Sequence, residues 1–241
     1  MSLFTVKSNE NTLLLLISDF TSLFFPEYCL GCSSGLVKGE EILCTHCILD
    51  LPFTGYQFMD GNPIQEKFLA RLPIRYAGAL LKFRKTGIVQ HLLHQLKYNN
   101  HPEVGIRLGK IFGREIKELG MHYEFDMIIP IPLHKSREKK RGYNQSTKFA
   151  EGLMHELKVP CMNDLVVRLK NTSTQTRKSK TERWENVEHA FGVIHPSAVE
   201  NKRILLVDDI ITTGASLEAC GKQLLDYGCS ELSIACIAEA Q

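Results

Sequence analysis

The sequence predicts an α/β fold, with a mostly parallel twisted sheet flanked by helices and a small zinc-binding module at the N-terminus. Short apolar runs alternate with amphipathic stretches, and this alternation favours right-handed crossovers in a parallel sheet. Two Cys-x-x-Cys pairs, separated by eleven residues, predict the module. The chain has 241 residues, 44% of them hydrophobic and 23% charged, which suits one medium globular domain with an appendage.

Individual elements follow from the spacing of apolar residues. Strands are predicted at 126–132, 164–169, 190–194, 204–207 and 232–237. Helices are predicted at 12–25, 87–98, 104–119, 144–157 and 215–227, whereas 77–83 fits either a strand or the start of a helix. We therefore expect three regions: an N-terminal helix and zinc knuckle over 1–56, a connector rich in Pro and Gly over 57–75, and the main domain over 76–241.

Two aspartates, Asp208 and Asp209, follow the strand at 204–207, and we call them the acid pair. A small hydroxyl-rich segment then opens a helix. We call it the phosphate loop, and it consists of Thr212, Thr213, Gly214, Ala215 and Ser216. Gly214 permits close backbone approach, Thr213 and Ser216 offer hydroxyl donors, and the helix start offers free N–H groups.

This combination predicts a sugar phosphate as the ligand. Because carboxylates repel phosphate, the acid pair should bind sugar hydroxyls or a divalent metal beside the phosphate loop. An ordinary strand-to-helix turn with two solvated aspartates is the alternative.

Basic residues concentrate in one part of the chain. The net charge is +2, but residues 134–183 carry 13 Lys and Arg against 5 Asp and Glu, an excess of +8. This segment begins with a cation-rich loop after the predicted strand at 126–132, and it suits pyrophosphate or a nucleic-acid backbone. A solvated charged face is the alternative. Residues 170–189 lack apolar periodicity and are predicted to form a flap.

Four N-terminal cysteines predict a structural metal centre. Four thiolates at this spacing suit one tetrahedral Zn²⁺ with a closed coordination shell, provided by Cys29, Cys32, Cys44 and Cys47. Disulfides and a redox pair are the alternatives. The other cysteines are expected to be reduced core thiols, no stretch is long enough to span a membrane, and the expected location is the cytoplasm.

The stretch from Val207 to Ser216 resembles the phosphoribosyl-pyrophosphate signature of type I phosphoribosyltransferases. The resemblance implies that the acid pair binds the ribose 2- and 3-hydroxyls and that the phosphate loop binds the 5-phosphate. It gives catalytic roles to Asp208, Asp209 and Thr212, although several family members carry an acid at the position of Thr212. It also implies Mg²⁺ and a pyrophosphate-binding loop, made here by His134, Lys135, Arg137 and Arg141.

This signature and the four N-terminal cysteines together resemble the ComF family of competence proteins. Further matching motifs are Leu96-Lys97-Tyr98, the run from Ile129 to His134, and Arg141-Gly142-Tyr143-Asn144-Gln145-Ser146. The resemblance implies a role in DNA uptake and natural transformation, with DNA-uptake proteins as partners. Alternatives are an inactive module of this fold that binds single-stranded DNA, with Tyr143 and Trp184 as candidate stacking residues, and a nucleobase salvage enzyme.

Overall fold

A computed structural model describes residues 26–56, 58–169 and 190–240 of the chain. The helix predicted at 12–25 and the flap predicted at 170–189 lie outside these residues. The chain forms two compact units that divide between Asp50 and Leu51. The domain boundaries given above stay a prediction.

The described part of the N-terminal unit, residues 26–50, is a small knuckle built from tight turns. Tyr28 pairs with Gly35 in an antiparallel bridge, and the Cys29 N–H donates to the Ser34 carbonyl at 2.8 Å. A short helix, α1 (Thr45–Leu49), follows, with Cys44 as its N-cap residue.

The C-terminal unit alternates strands and helices, as the sequence predicted. Its helices are α2 (Pro63–Glu66), α3 (Ile88–Tyr98), α4 (Pro102–Glu118), α5 (Lys135–Arg141), α6 (Gln145–Leu157), α7 (Pro196–Val199) and α8 (Ala215–Asp226). Its strands are β1 (Ala77–Phe83), β2 (Met127–Pro130), β3 (Val166–Arg168), β4 (Phe191–Val193), β5 (Arg203–Ile211) and β6 (Glu231–Ala240). The undecided stretch at 77–83 is therefore a strand.

The main sheet has the order β1-β6-β5-β2, and all its pairings are parallel. Adjacent residues of β5 are buried, including Ile204, Leu205 and Leu206, so both faces of the sheet are covered. This confirms the predicted fold class, since strands buried on both faces are typical of parallel sheets with helices on each side.

Strand β5 is longer than predicted, and it contains the acid pair. The β2 pairing ends with Pro130 opposite Val207: the Ile131 N–H still donates to the Val207 carbonyl at 2.8 Å, but the Ile131 carbonyl accepts from the Asn144 side-chain amide and not from β5. Strand β6 continues on the other side and pairs with β5 as far as Ile211 opposite Glu239. Within the described residues, Asp208 and Asp209 therefore lie where β5 is still paired with β6 but no longer with β2.

The strand predicted at 164–169 does not join the main sheet. Strand β3 instead forms a separate antiparallel ribbon with β4, in which Val166 lies opposite Val193. In β3 only Val166 is buried, whereas Val167 and Arg168 are half-buried. A strand with one covered face lacks the two apolar faces that the centre of a parallel sheet needs.

The cation-rich segment after β2 was predicted to be a loop, and this was wrong: most of it is the helix α5. The His134 imidazole caps the helix by accepting from the Ser136 N–H at 3.3 Å, and Gly142 ends it with a φ of 85°. None of the seven helical residues is buried. A helix that buries no residue shows no apolar periodicity in its sequence, so this pattern could not predict α5. Its Lys, Arg and Glu residues are nevertheless good helix formers.

Helices α4 and α6 pack at very short range. A Cβ atom on Gly109 would overlap the Phe149 carbonyl, and one on Gly152 would overlap the Ile106 carbonyl. Glycine at these two positions lets the helix backbones touch. No helix among the described residues is long and apolar enough to cross a bilayer.

Candidate functional site

The four N-terminal cysteines form a cluster that could hold a zinc ion. Their sulfur atoms all lie within 4.8 Å of one another. Backbone N–H groups point at two of them: Cys44 donates to the Cys29 sulfur at 3.2 Å, and Cys47 donates to the Cys44 sulfur at 3.4 Å. Such donors stabilise thiolates, the form that binds metal.

The electrostatics of the cluster also fit a cation. Hydrogen bonds from Ser34 lower the pKa of the exposed Cys32 thiol to about 6, whereas burial and the neighbouring thiols raise the pKa of Cys47. Four thiolates this close would repel one another without a positive ion between them. The donor set therefore suits a structural zinc.

The acid pair is fixed by residues from two helices. The Ser146 hydroxyl, in the first turn of α6, donates to Asp208 Oδ1 at 2.9 Å, and the Asp209 N–H donates to the same oxygen at 2.8 Å. From the end of α3, Lys97 Nζ lies 2.9 Å from Asp209 Oδ2. The strand, α3 and α6 thus converge on the two carboxylates.

The motif around Ser146 explains how it reaches Asp208. Asn144 caps α6 by accepting from the Ser146 N–H at 3.1 Å, and its side-chain amide donates to the Ile131 carbonyl at 2.9 Å. This ties the start of α6 to the end of β2. Tyr143 is half-buried, and its hydroxyl donates to the Leu96 carbonyl at 2.6 Å; its stacking role stays a prediction.

The negatively charged form of Asp208 is disfavoured in the acid pair. Burial raises the pKa of Asp208 to about 7, and the adjacent charge of Asp209 contributes to the rise. The hydrogen bonds from Ser146 and the Asp209 N–H, together with the charge of Lys97, oppose this rise. Such a carboxylate gains stability from a bound cation or from hydroxyl donors.

The phosphate loop has the conformation that an anion site needs. Gly214 has a φ of 77° and directly precedes α8, and the Ala215 N–H donates to the Thr213 hydroxyl oxygen at 3.4 Å. Thr212 and Thr213 are exposed, whereas Ser216 is half-buried. The loop presents hydroxyls and the start of a helix of 12 residues to solvent.

A segment that the sequence analysis treated as a connector supports the loop. Phe68 packs beneath Gly214, and Arg71 Nη1 donates to the Thr213 carbonyl at 3.2 Å. Arg71 also forms an ion pair with Glu218 in the first turn of α8. The buried residues Ile64, Phe68 and Leu72 recur every four positions, a spacing that could have revealed this segment.

The four predicted pyrophosphate-binding residues lie in or beside α5, which follows β2 at the same edge of the sheet as the acid pair. Lys135 is exposed and Arg137 half-buried. The His134 Nδ1 atom lies 2.8 Å from the Ser136 hydroxyl oxygen, and Arg141 donates to the Gln145 side chain at 2.7 Å. Two of the four side chains thus already bond within the protein.

Arg168, at the end of β3, is a further cation near the acid pair. Burial lowers the pKa of Arg168, the charge of Arg137 lowers it further, and the charge of Asp208 opposes this. Two guanidinium groups close enough to repel each other, as Arg137 and Arg168 are, suit a polyanion. Arg168 is not among the predicted site residues, although it is one of the positions that match the ComF family pattern.

A parallel sheet flanked by helices, with an acid pair on one strand and a glycine-containing loop that opens the next helix, has the architecture of a phosphoribosyltransferase domain. The chain belongs to the phosphoribosyl transferase domain family, whose profile matches residues 94–241.

Individual relatives of the chain are named as competence or DNA utilization proteins. The chain is 28% identical to competence protein F of Haemophilus influenzae over 235 residues, which cover 90% of this chain and 99% of that protein. It is 29% identical to DNA utilization protein YhgH of Escherichia coli K12 over 213 residues, covering 87% and 88%. It is 40% identical to competence protein ComFC of Bacillus subtilis over 102 residues, covering 42% and 39%. These relatives confirm the resemblance to ComF proteins.

Proposed function

We propose that the protein binds phosphoribosyl pyrophosphate with Mg²⁺ and acts as a phosphoribosyltransferase. One observation carries this proposal: Ser146 and Lys97 hold the acid pair on β5, three residues before a loop with the shape of a phosphate site. Diol-binding carboxylates and a phosphate loop on one continuous stretch match the two ends of a ribose 5-phosphate.

Each group has a proposed role in binding. Asp208 and Asp209 accept hydrogen bonds from the ribose hydroxyls, and Thr213, Ser216 and the start of α8 donate to the 5-phosphate. The pyrophosphate would lie towards His134, Lys135, Arg137 and Arg141, and a Mg²⁺ ion, which prefers hard oxygen donors, would offset its negative charge there.

Proposed catalysis follows from the same arrangement. Positive charge develops at the anomeric carbon as pyrophosphate leaves, and the carboxylates of the acid pair stabilise that charge. Thr212 completes the proposed catalytic set, but its hydroxyl is not a base near neutral pH. The acceptor therefore has to supply its own nucleophile in an already reactive form.

Calorimetry with phosphoribosyl pyrophosphate and Mg²⁺ tests the proposal. The double variant Asp208→Asn, Asp209→Asn removes both charges and should lose all measurable binding, whereas Asp226→Asn, an exposed change at the far end of α8, should bind as the wild type does. Equal affinities of the wild type and the double variant would sink the proposal.

A second candidate is a module of this fold that binds single-stranded DNA without transferring a phosphoribosyl group. Tyr98 is 65% exposed, and the Arg141 guanidinium lies 5.4 Å from its ring centre, beside the exposed cations of α5. Exposed aromatic rings among cations suit unpaired bases. The names of the relatives, competence protein and DNA utilization protein, also favour a ligand that is DNA. We therefore propose a role in DNA uptake for this chain, and a cytoplasmic location.

Pyrophosphate release separates the two candidates. A transferase releases pyrophosphate from phosphoribosyl pyrophosphate once its acceptor is present, so the assay is run with and without single-stranded DNA. Binding of DNA with steep salt dependence, but no release in either arm, favours the second candidate.

A further inference from the structure

Arg71 contacts the phosphate loop from a segment that carries none of the motifs described above. Its Nη1 atom donates to the Thr213 carbonyl at 3.2 Å and to the Lys67 carbonyl at 2.9 Å, near the end of α2. Phe68, one turn earlier, lies so close to Gly214 that a Cβ atom there would come within 2.8 Å of its ring. Residues 67–71 therefore contact the phosphate loop through Phe68 and Arg71 and support its backbone.

The second partner of Arg71 is a buried carboxylate. Glu218 is only 5% exposed and lies in the first turn of α8, the helix whose start forms the phosphate loop. Arg71 Nη2 donates to Glu218 Oε2, and Lys222 Nζ lies 3.4 Å from Glu218 Oε1. A negative charge in the first turn stabilises an empty helix start, but it repels a phosphate that binds there.

We propose that Arg71 is a positioning residue for the phosphate loop, because it cancels the charge of Glu218 and fixes the Thr213 carbonyl. Without Arg71 the buried carboxylate would keep only the more exposed Lys222 as a partner, and its charge, then less well neutralised, would compete with the phosphate for the positive end of the α8 dipole. Arg71 acts through Glu218 and the loop and does not itself touch the ligand. The inference rests on the proposed function, since it assigns the loop to the 5-phosphate.

Calorimetry with ribose 5-phosphate and with phosphoribosyl pyrophosphate plus Mg²⁺ tests this inference on the full chain. Four variants are compared: Arg71→Gln, Glu218→Gln, the double variant of both, and Arg75→Gln. Arg75 is a matched control, because it is an exposed cation four residues further on that lies over the Tyr76 ring, 4.8 Å from its centre.

Arg71→Gln should weaken binding of both ligands by about tenfold, because Glu218 then keeps only Lys222 to offset its charge beside the phosphate. The double variant removes the carboxylate as well and should return to within about threefold of the wild type, which a purely structural defect would not do. Arg75→Gln should bind as the wild type does. Undiminished binding by Arg71→Gln, or a double variant as weak as Arg71→Gln, would overturn the inference.

The variant Glu218→Gln tests the same inference if Arg71→Gln does not fold. It leaves Arg71 with an uncancelled positive charge and should bind ribose 5-phosphate at least about threefold more tightly than the wild type. Equal or weaker binding would overturn the inference. A wild type that binds neither ligand would instead refute the proposed function, and the inference with it.

Discussion

At the scale of single residues, Asp208 shows how a ligand site can work against the stability of the empty protein. Its carboxyl group accepts two hydrogen bonds, yet burial and Asp209 raise its pKa to about 7. Because the folded-state pKa is raised above its ordinary value, the folded chain holds this proton more tightly than the unfolded chain does. Stability is therefore lost as the pH rises towards and through 7.

Asp208→Asn should stabilise the ligand-free protein in alkaline buffer. The amide oxygen can still accept from Ser146 and from the Asp209 N–H, but the charge is gone. We expect a melting temperature several degrees higher at pH 8, with the gain shrinking as the pH falls below the raised pKa and vanishing near pH 4. Thermal unfolding across this range, with Asp226→Asn as the exposed control, measures the effect. A variant that melts below the wild type at pH 8 would contradict it.

At the scale of elements, the contact between α4 and α6 sets where the acid pair's partner lies. Ser146 is in the first turn of α6, and α6 touches α4 backbone to backbone at Gly109 and Gly152. Widening this contact would move the helix that carries Ser146 away from its position beside β5. The two glycines of this helix contact therefore help to hold the position of Ser146 beside the acid pair.

Gly152→Ala should destabilise the protein, although alanine is the better helix former. In an open helix this change adds up to about 1 kcal/mol of stability. Here the added methyl group meets the Ile106 carbonyl, and we expect a net loss of about 1–3 kcal/mol. Chemical denaturation measures the loss, with the partly exposed Met154→Ala on the same helix as the control. A Gly152→Ala variant more stable than the wild type would show that the helices can separate freely.

The elements also show what sequence patterns can and cannot reveal. Strands and helices with sustained apolar spacing, such as α3 and β5, were predictable because burial imposes that spacing. Helix α5 buries no residue, and α2 is short and lies between Gly61 and Pro73, which read as loop signals. The pair between Lys97 and Asp209 joins residues far apart in sequence, and local patterns do not report such contacts.

At the scale of the whole molecule, the described part of the N-terminal unit has a core made of cysteines more than of apolar side chains. Residues 26–50 bury Leu43 and three of the four clustered cysteines, and no other residue of this range is buried. So small a core does not stabilise a fold by itself. We propose that a structural Zn²⁺ supplies the missing stability, which can be on the order of 10 kcal/mol in such units.

Elemental analysis of the purified protein should find one zinc per chain. Cys44→Ser removes a buried sulfur from the cluster and should lower the zinc content well below one. Cys161→Ser, a half-buried thiol in the C-terminal unit, should leave it unchanged. A metal-free wild type, or a full zinc complement in Cys44→Ser, would show that the cluster has another role.

The pairing of β5 has a consequence for the entropy of ligand binding. Strand β6 bonds to β5 on past both aspartates, so their backbone is already ordered before a ligand arrives. Little conformational freedom remains to be lost at the sugar end of the site. If α5 binds the pyrophosphate as proposed, the entropic cost of binding should fall on its exposed side chains, because the long cationic side chains of Lys135, Lys139 and Lys140 keep most of their rotamer freedom.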